Sequence, residues 1–235
     1  ASATETGILA HPASSNEEGY MLSALANAMG VRNIDHRIKQ LDFADAAVAE
    51  VFGTAVADIE RAESIILVGC NIRHEMPLLH QRIHQAVKRG AKVHVVNPVD
   101  FDFTFDVASK AIVPPSGLAE ALSALSATLA AGSVLILGEI AENHADASHI
   151  RAAAKALQQA GKASVCRLPQ GANAIGLAQH GILPGEGGRN AGVMLNGDLK
   201  AMLLFGIEPQ FDFSDTTRAV KALIGAKVVA CTAYV

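Results

Sequence analysis

The chain has 235 residues, half of them hydrophobic but only 4% aromatic, and its 19 basic and 23 acidic residues leave a formal charge of −4. Lys and Arg are scattered rather than clustered, which removes the electrostatic reason to expect a nucleic-acid partner. A globule of this size buries roughly 70–75% of its unfolded surface and needs no disulfide or metal to hold it.

In chain order, residues 17–29 are predicted helical. Tyr20, Met21, Leu25 and Met29 recur at three-to-four spacing, Ser14 or Ser15 precedes them as a cap, and Glu17 and Glu18 fall in the first turn before the turn residue Gly30. Asp35, His36 and Arg37 follow as a charged cluster; with Glu17 and Glu18 they form either a buried network or a solvated surface, and both readings stay open. Six short apolar runs then read as buried strands: SIILVG (64–69), KVHVV (92–96), SVLILG (133–138), ASVCRL (163–168), AMLLFG (201–206) and KVVACT (227–232). Amphipathic Ala- and Leu-rich stretches at 77–89, 117–131 and 147–160 separate them, each followed by Gly. Pro77 stands where a first-turn proline belongs and Gly90 where a helix ends. Alternating strand and helix predicts an α/β fold with mostly parallel sheets and helices on both faces.

SIILVGCN and AMLLFGIE echo each other, each a strand ending in Gly before a polar residue. A division follows: an N-terminal helical segment at 1–62, a first α/β lobe at 63–131 and a second at 132–235. Convergence on one strand-end pattern explains the echo almost as well. Residues 121–138 are an uncharged run long enough to raise the question of a membrane span. Four hydroxyl residues and Gly132 make helix, turn and buried strand the better reading, with no direct membrane insertion. No signal peptide opens the chain, which lacks an initiator Met, and the last residues follow a strand directly; the expectation is an excised piece of a longer polypeptide.

Cys70, Cys166 and Cys231 lie far apart at apolar runs. Iron–sulfur clusters need closely spaced thiolates, so no cluster is expected here, and a reducing setting without disulfides fits. His80 and His84 are four apart on one predicted helix, but Gln81 stands where a zinc protease keeps its general base. A solvated or partner-facing edge is therefore expected for the pair. The glycine-rich segment 181–192 lacks the Lys–Ser/Thr ending of a phosphate loop and reads as a crossing loop. No catalytic residue and no metal ligand is expected.

The remaining candidates sit at strand ends. Gly69 and Asn71 end the first run, and Asn97 and Asp100 end the second. Ligands of open parallel sheets lie beyond the carboxyl ends of strands. The segment is not GxGxxG, so a tight turn with a satisfied Asn competes with nucleotide contact.

Read together, several fragments resemble one family in order along the chain. Ser14-Ser15-Asn16-Glu17-Glu18, then Gly30 and Asn33-Ile34-Asp35-His36-Arg37, resemble the opening of a molybdopterin-oxidoreductase-like region. That region belongs to the large iron–sulfur subunit of the respiratory NADH:quinone oxidoreductase, the NADH dehydrogenase known as complex I. Leu67-Val68-Gly69-Cys70-Asn71 with Arg73, Glu75, Pro77-Leu78-Leu79 and Arg82 is similar to its "LVGSNxRxExPLLxxR" segment. Leu137-Gly138-Glu139, Gly171-Ala172-Asn173 with Gly176, and Glu208-Pro209 with Asp212 match further marks. The resemblance implies Rossmann-like lobes of the molybdopterin oxidoreductase fold, reused as a non-catalytic scaffold in a chain whose Fe–S clusters lie upstream. It implies other subunits of the peripheral arm as partners, at the cytoplasmic side of the bacterial inner membrane, and no cofactor in this piece. Active relatives place a Cys, selenocysteine or Ser on the metal shortly after the segment resembling Asn33-Ile34-Asp35; here Ile38-Lys39-Gln40-Leu41-Asp42 offers neither thiol nor hydroxyl. Gly69, Asn71, Asn97 and Asp100 match the positions that hold the pterin's nucleotide in relatives and are expected to be vestigial. Two other readings remain: a dinucleotide-binding part of an active molybdenum oxidoreductase, and a free-standing nucleotide-binding module.

Overall fold

A computed structural model describes residues 1–125, 129 and 131–232, without the side chain of Cys231. Its regular elements are β1 (Thr6–Ala10), α1 (Asn16–Met29), β2 (Ile34–Asp35), β3 (Ser64–Val68), α2 (Ile72–Glu75), α3 (Pro77–Lys88), β4 (Lys92–Asn97), β5 (Ser109–Ile112), α4 (Leu118–Leu125), β6 (Ser133–Leu137), α5 (Glu139–Glu142), α6 (Ala147–Gln159), β7 (Ala163–Arg167), α7 (Ala174–Gln179), α8 (Ala191–Met194), β8 (Ala201–Phe205), α9 (Thr216–Gly225) and β9 (Val228–Cys231). All six predicted strands are present, but the last is not buried as expected: Val228 and Val229 of β9 are exposed. The rest of the helix expected to reach residue 131 includes 126–128 and 130, which lie outside the described residues, as does the chain end at Tyr234 and Val235. No described helix is long and apolar enough to cross a membrane.

The strands make two all-parallel sheets with helices against them, the α/β class expected. Their division differs from the one expected. One compact unit is Glu50–Leu168, with strand order β5-β4-β3-β6-β7; the other joins Ala1–Ala49 to Pro169–Val235, with order β2-β1-β8-β9. A boundary at 131 would cut β6 from β3, with which it pairs from Ile65↔Val134 to Val68↔Leu137. A boundary at 62 would leave β1 without β8, which it meets from Thr6↔Ala201 to Ala10↔Phe205. The segment 1–62 is thus not a helical annex but supplies two strands of a sheet. Hydrogen-bonded ladders between distant segments leave no local trace, so the interleaving was hidden.

In the unit 50–168 the sheet is buried on both faces, which explains the unbroken apolar runs. Ile65, Leu67, Val93, Val95, Val134 and Ile136 point to one side, packing with Ile59, Leu79, Ile83 and Phe105. Ile66, Val68, Val96, Leu135 and Leu137 point to the other, against Leu118 and Leu122 of α4 and Ile150, Ala154 and Leu157 of α6. Each such fully buried side chain contributes about 1.5–3 kcal/mol over its exposed state. A buried charged network closes the far edge. Glu142 accepts from Arg167 Nε and Nη2 at 2.8 and 2.7 Å and from Arg151 Nη1 at 3.3 Å.

In the other unit, Ile8 and Ala10 of β1 face Leu22 and Ala26 of α1 and Leu177 of α7, while Leu9 faces Met194 of α8 and Ala219 and Ala222 of α9. Ser15 caps α1: its hydroxyl accepts from Glu18 N–H, and the Glu18 carboxylate accepts from Ser15 N–H at 2.8 Å. Glu18 is therefore spent on the cap, whereas Asp35 and Arg37 are buried as a pair, which settles the open reading of that cluster. Asp35 is fully buried and accepts from Arg37 Nε and Nη2, both at 2.9 Å, from the N–H groups of His36 and Arg37, and from Ala191 N–H at 3.0 Å. Arg37 in turn lies 5.0 Å over the Phe43 ring and donates to Ala47 O. The glycine-rich segment 181–192 is a crossing loop that latches onto this region. Gly185 N–H donates to Arg32 O and Arg189 N–H to Asn33 Oδ1, and a β-carbon at Gly188 would collide with Arg32 O. Its glycines serve close backbone approach.

Removing one member of a buried pair strands the other, at a cost of about 3–5 kcal/mol. Asp35→Ala is expected to lower unfolding stability by about that much in urea melts. His36 is buried, with its ring Nδ1 2.7 Å from Ile182 O, and burial holds its pKa below the ordinary value of 6.5. A depressed histidine pKa favours the fold fully above the unfolded-state value and less as pH falls toward the folded one. Stability should therefore drop between pH 7 and 5, and His36→Asn should flatten that slope; an unchanged slope assigns the acid loss to other groups.

Candidate functional site

Strand order in the unit 50–168 runs outward in opposite directions from β3 and β6: β4 and β5 follow β3 on one side, and β6 and β7 lie on the other. Ligands of open parallel sheets bind outside the strand carboxyl ends at such a reversal. The loops there are Gly69-Cys70-Asn71 after β3 and Gly138-Glu139 after β6, and both are brought against each other.

Gly69 has φ +53°, a left-handed conformation that a side chain disfavours, and a β-carbon there would lie 2.5 Å from Ala141 N. A β-carbon at Gly138 would collide with Cys70 Cα. Gly69 O accepts from Ile140 N–H at 3.0 Å. The two loops are thus in backbone contact, with no room for a further group between them at these glycines.

Asn97, at the end of β4, is fully buried and spends its amide on the same loop. Its Oδ1 accepts from Cys70 N–H at 2.7 Å and its Nδ2 donates to Cys70 O at 3.0 Å, replacing a backbone partner on both sides. Asn71 is the residue before α2, and its N–H donates to Glu75 Oε1 at 2.5 Å. Glu75 Oε2 accepts from Glu139 N–H at 2.7 Å. Burial pushes the Glu75 carboxyl above the usual carboxylate range, with the two N–H donors opposing that and Glu139 adding to it. The Cys70 thiol, 3.9 Å from Glu75 Oε2, is held well above its ordinary value by burial first and by Glu75 second. A thiol so protonated and buried is a poor nucleophile and a poor metal ligand.

The structure therefore brings Gly69, Asn71 and Asn97 together. Asp100 does not join them: it is exposed and paired with Lys110 Nζ at 2.6 Å. In the sequence Glu75 is one position of the family-like segment, with no role of its own. Its signal was available: a Glu four residues after Asn71 and two before Pro77 can turn back onto the Asn71 N–H once Pro77 stops the first helix. His80 departs from the edge position expected of it. It is buried against the Phe105 ring at 5.1 Å, with Nε2 3.3 Å from Thr104 Oγ1, because Phe105 folds over α3. No group of three His, Cys, Asp or Glu residues placed to hold a metal occurs among the described residues. In the region 38–42, Gln40 is buried and donates to Asp42 O at 2.8 Å. A cleft of about 720 Å³ opens at the other end of the sheet, where Glu60, Arg89, Lys92 and His94 line it, but Glu60 already pairs with Arg82 and Arg89.

Asn97→Ala would leave Cys70 N–H and C=O buried without partners, at about 1–3 kcal/mol for each stranded group. Thermal unfolding should show a loss of that order, and Asn97→Asp, which buries a carboxylate with one oxygen against Cys70 O, should lose at least as much.

The chain matches the molybdopterin oxidoreductase family over residues 2–234. It is 32% identical over 101 residues to the F420-dependent formate dehydrogenase subunit alpha of Methanocaldococcus jannaschii, covering 40% of this chain and 15% of that protein. Against the F420-dependent formate dehydrogenase 1 subunit alpha of Methanococcus maripaludis it is 27% identical over the same shares. It is 31% identical over 78 residues to an NADH-quinone oxidoreductase subunit of Rickettsia felis, covering 32% of this chain and 11% of that protein. The chain thus aligns with only a small part of each relative's length. A match along almost all of the sequence, on two parallel α/β units, makes this chain a member of the molybdopterin oxidoreductase family.

Proposed function

We propose that the chain is a non-catalytic scaffold region of a multi-subunit NADH:quinone oxidoreductase, drawn from its large iron–sulfur subunit. In that reading it supports an electron-transfer arm whose Fe–S clusters lie elsewhere, and it works at the cytoplasmic face of the inner membrane beside other subunits of the arm. The carrying observation is the closed strand reversal: the loops after β3 and β6 touch, and their N–H donors at Asn71 and Glu139 are taken by Glu75. These residues do not fit a dinucleotide. Asn97 has no free amide edge, and Asp100 is turned to Lys110. The stretch 38–42 supports the same reading, since it contains no Cys or Ser to ligate molybdenum and Gln40 is hydrogen-bonded to its own loop. Gly69, Asn71, Asn97 and Asp100 are then remnants of a nucleotide site, now structural.

The longer alignment to the formate dehydrogenase subunits favours a second reading, in which the region still holds a molybdopterin dinucleotide. Co-expression in a host that makes molybdenum cofactor separates the two. Molybdenum and extractable pterin measured on the purified chain should both be absent under the scaffold reading. Near-stoichiometric pterin, with or without metal, would overturn it in favour of the second.

A further inference from the structure

The Glu75 side chain does more than fill space. Backbone N–H groups beyond the strand ends on either side of a strand-order reversal are the usual means by which this class of sheet takes the phosphate or carboxylate of a ligand. Here two donors of that kind, Asn71 N–H after β3 and Glu139 N–H after β6, converge on the two oxygens of a single side chain, at 2.5 and 2.7 Å. The geometry of the chain delivers that carboxylate. The α2 turn begins at Asn71 and stops at Met76, whose extended backbone (φ −143°, ψ 77°) precedes Pro77 at the start of α3. Glu75, on the last residue of the turn, is thereby aimed back across its own N-terminus. It is half-buried, so its charge is partly stripped of water, and the two N–H donors offset that loss.

We infer that Glu75 is a built-in anion: its carboxylate stands where a ligand's anionic group would lie and straps the β3 loop to the β6 loop. The inference deepens the scaffold reading and rests on it. It adds a side-chain bridge to the backbone contact that Ile140 N–H makes with Gly69 O, and it gives the donors at Asn71 and Glu139 one shared acceptor. Removing that side chain leaves two adjacent backbone donors without an acceptor, and a small free carboxylate satisfies them.

The test is amide exchange at Asn71 and Glu139 in the full chain, read by NMR, with thermal unfolding alongside. In Glu75→Ala both amides should exchange about tenfold faster or more, since each loses its acceptor. Sodium formate at about 0.1 M should recover part of that protection and part of the lost melting temperature by mass action, whereas sodium chloride at equal ionic strength should not. The parent chain should be indifferent to formate. Glu75→Gln keeps one acceptor oxygen and turns an NH2 group on the other donor, so only one of the two amides should stay protected. Unchanged exchange of both amides in Glu75→Ala would overturn the strap, and so would equal effects of formate and chloride. If the alanine variant does not fold, the glutamine variant decides: protection of both amides in it overturns the strap. Failure of the scaffold reading is registered separately, by pterin bound to the unsubstituted chain.

Discussion

Parallel pairing governs this molecule. A parallel strand cannot be reached by a tight turn from its neighbour, so the chain must leave the sheet, cross a face and return. In Glu50–Leu168 the crossings are short and local, and α3, α4 and α6 follow the strands they cover. In the other unit, β1 finds its neighbour β8 only after the whole of the first sheet has been made. That ladder, Thr6↔Ala201 to Ala10↔Phe205, joins the second unit: it links the pair β2-β1 to the pair β8-β9, so that α1 and α9 cover one continuous sheet. Its cost is a large loop closure, which grows only slowly with length and is offset by two-sided burial.

The same parallel geometry places backbone donors at the strand carboxyl ends, and these must be satisfied. A ligand-binding relative can leave that task to its ligand. Here it falls to side chains. Asn97 serves Cys70, and Glu75 serves Asn71 and Glu139. Gly69 and Gly138 are the points where the two loops touch. The α/β architecture of the family is present at this spot, and the polar groups at the strand ends are hydrogen-bonded within the fold.

Each unit also carries one buried charged centre, Asp35 with Arg37 in one and Glu142 with Arg151 and Arg167 in the other. Both acids have their oxygens filled by guanidinium or backbone donors. Such centres add little net stability over apolar packing, but they fix which segments must meet. Asp35 binds β2 to the start of α8, and Glu142 binds α5 to the end of β7. They act as registration points for loops that carry few apolar residues.

Much of this was legible in the residues alone. Six strands, the helices between them, the Ser15 cap and the α/β class followed from local periodicity and from punctuation by Gly and Pro, because those signals act within one element. Burial did not follow everywhere, since Val228 and Val229 of β9 are exposed and α1 buries Leu22 and Ala26 while Tyr20, Met21, Leu25 and Met29 face out. The family was legible because its marks recur in order, each short and local. Strands β1, β2 and β5 were not: TGILA opens on Thr and Gly and has only three apolar residues, β2 has two residues, and β5 is a mostly exposed edge. Which strand meets which, and hence the division at 49/50 and 168/169, was decided only in three dimensions, since hydrogen bonds between backbones carry no record of side-chain identity. The hydrogen-bond partners of the candidate residues were decided there as well. Asn71, Asn97 and Asp100 read alike in sequence as polar residues at strand ends, but a hydrogen-bonding group is open to a ligand or spent on its own fold according to which donor or acceptor tertiary packing sets within about 3 Å of it.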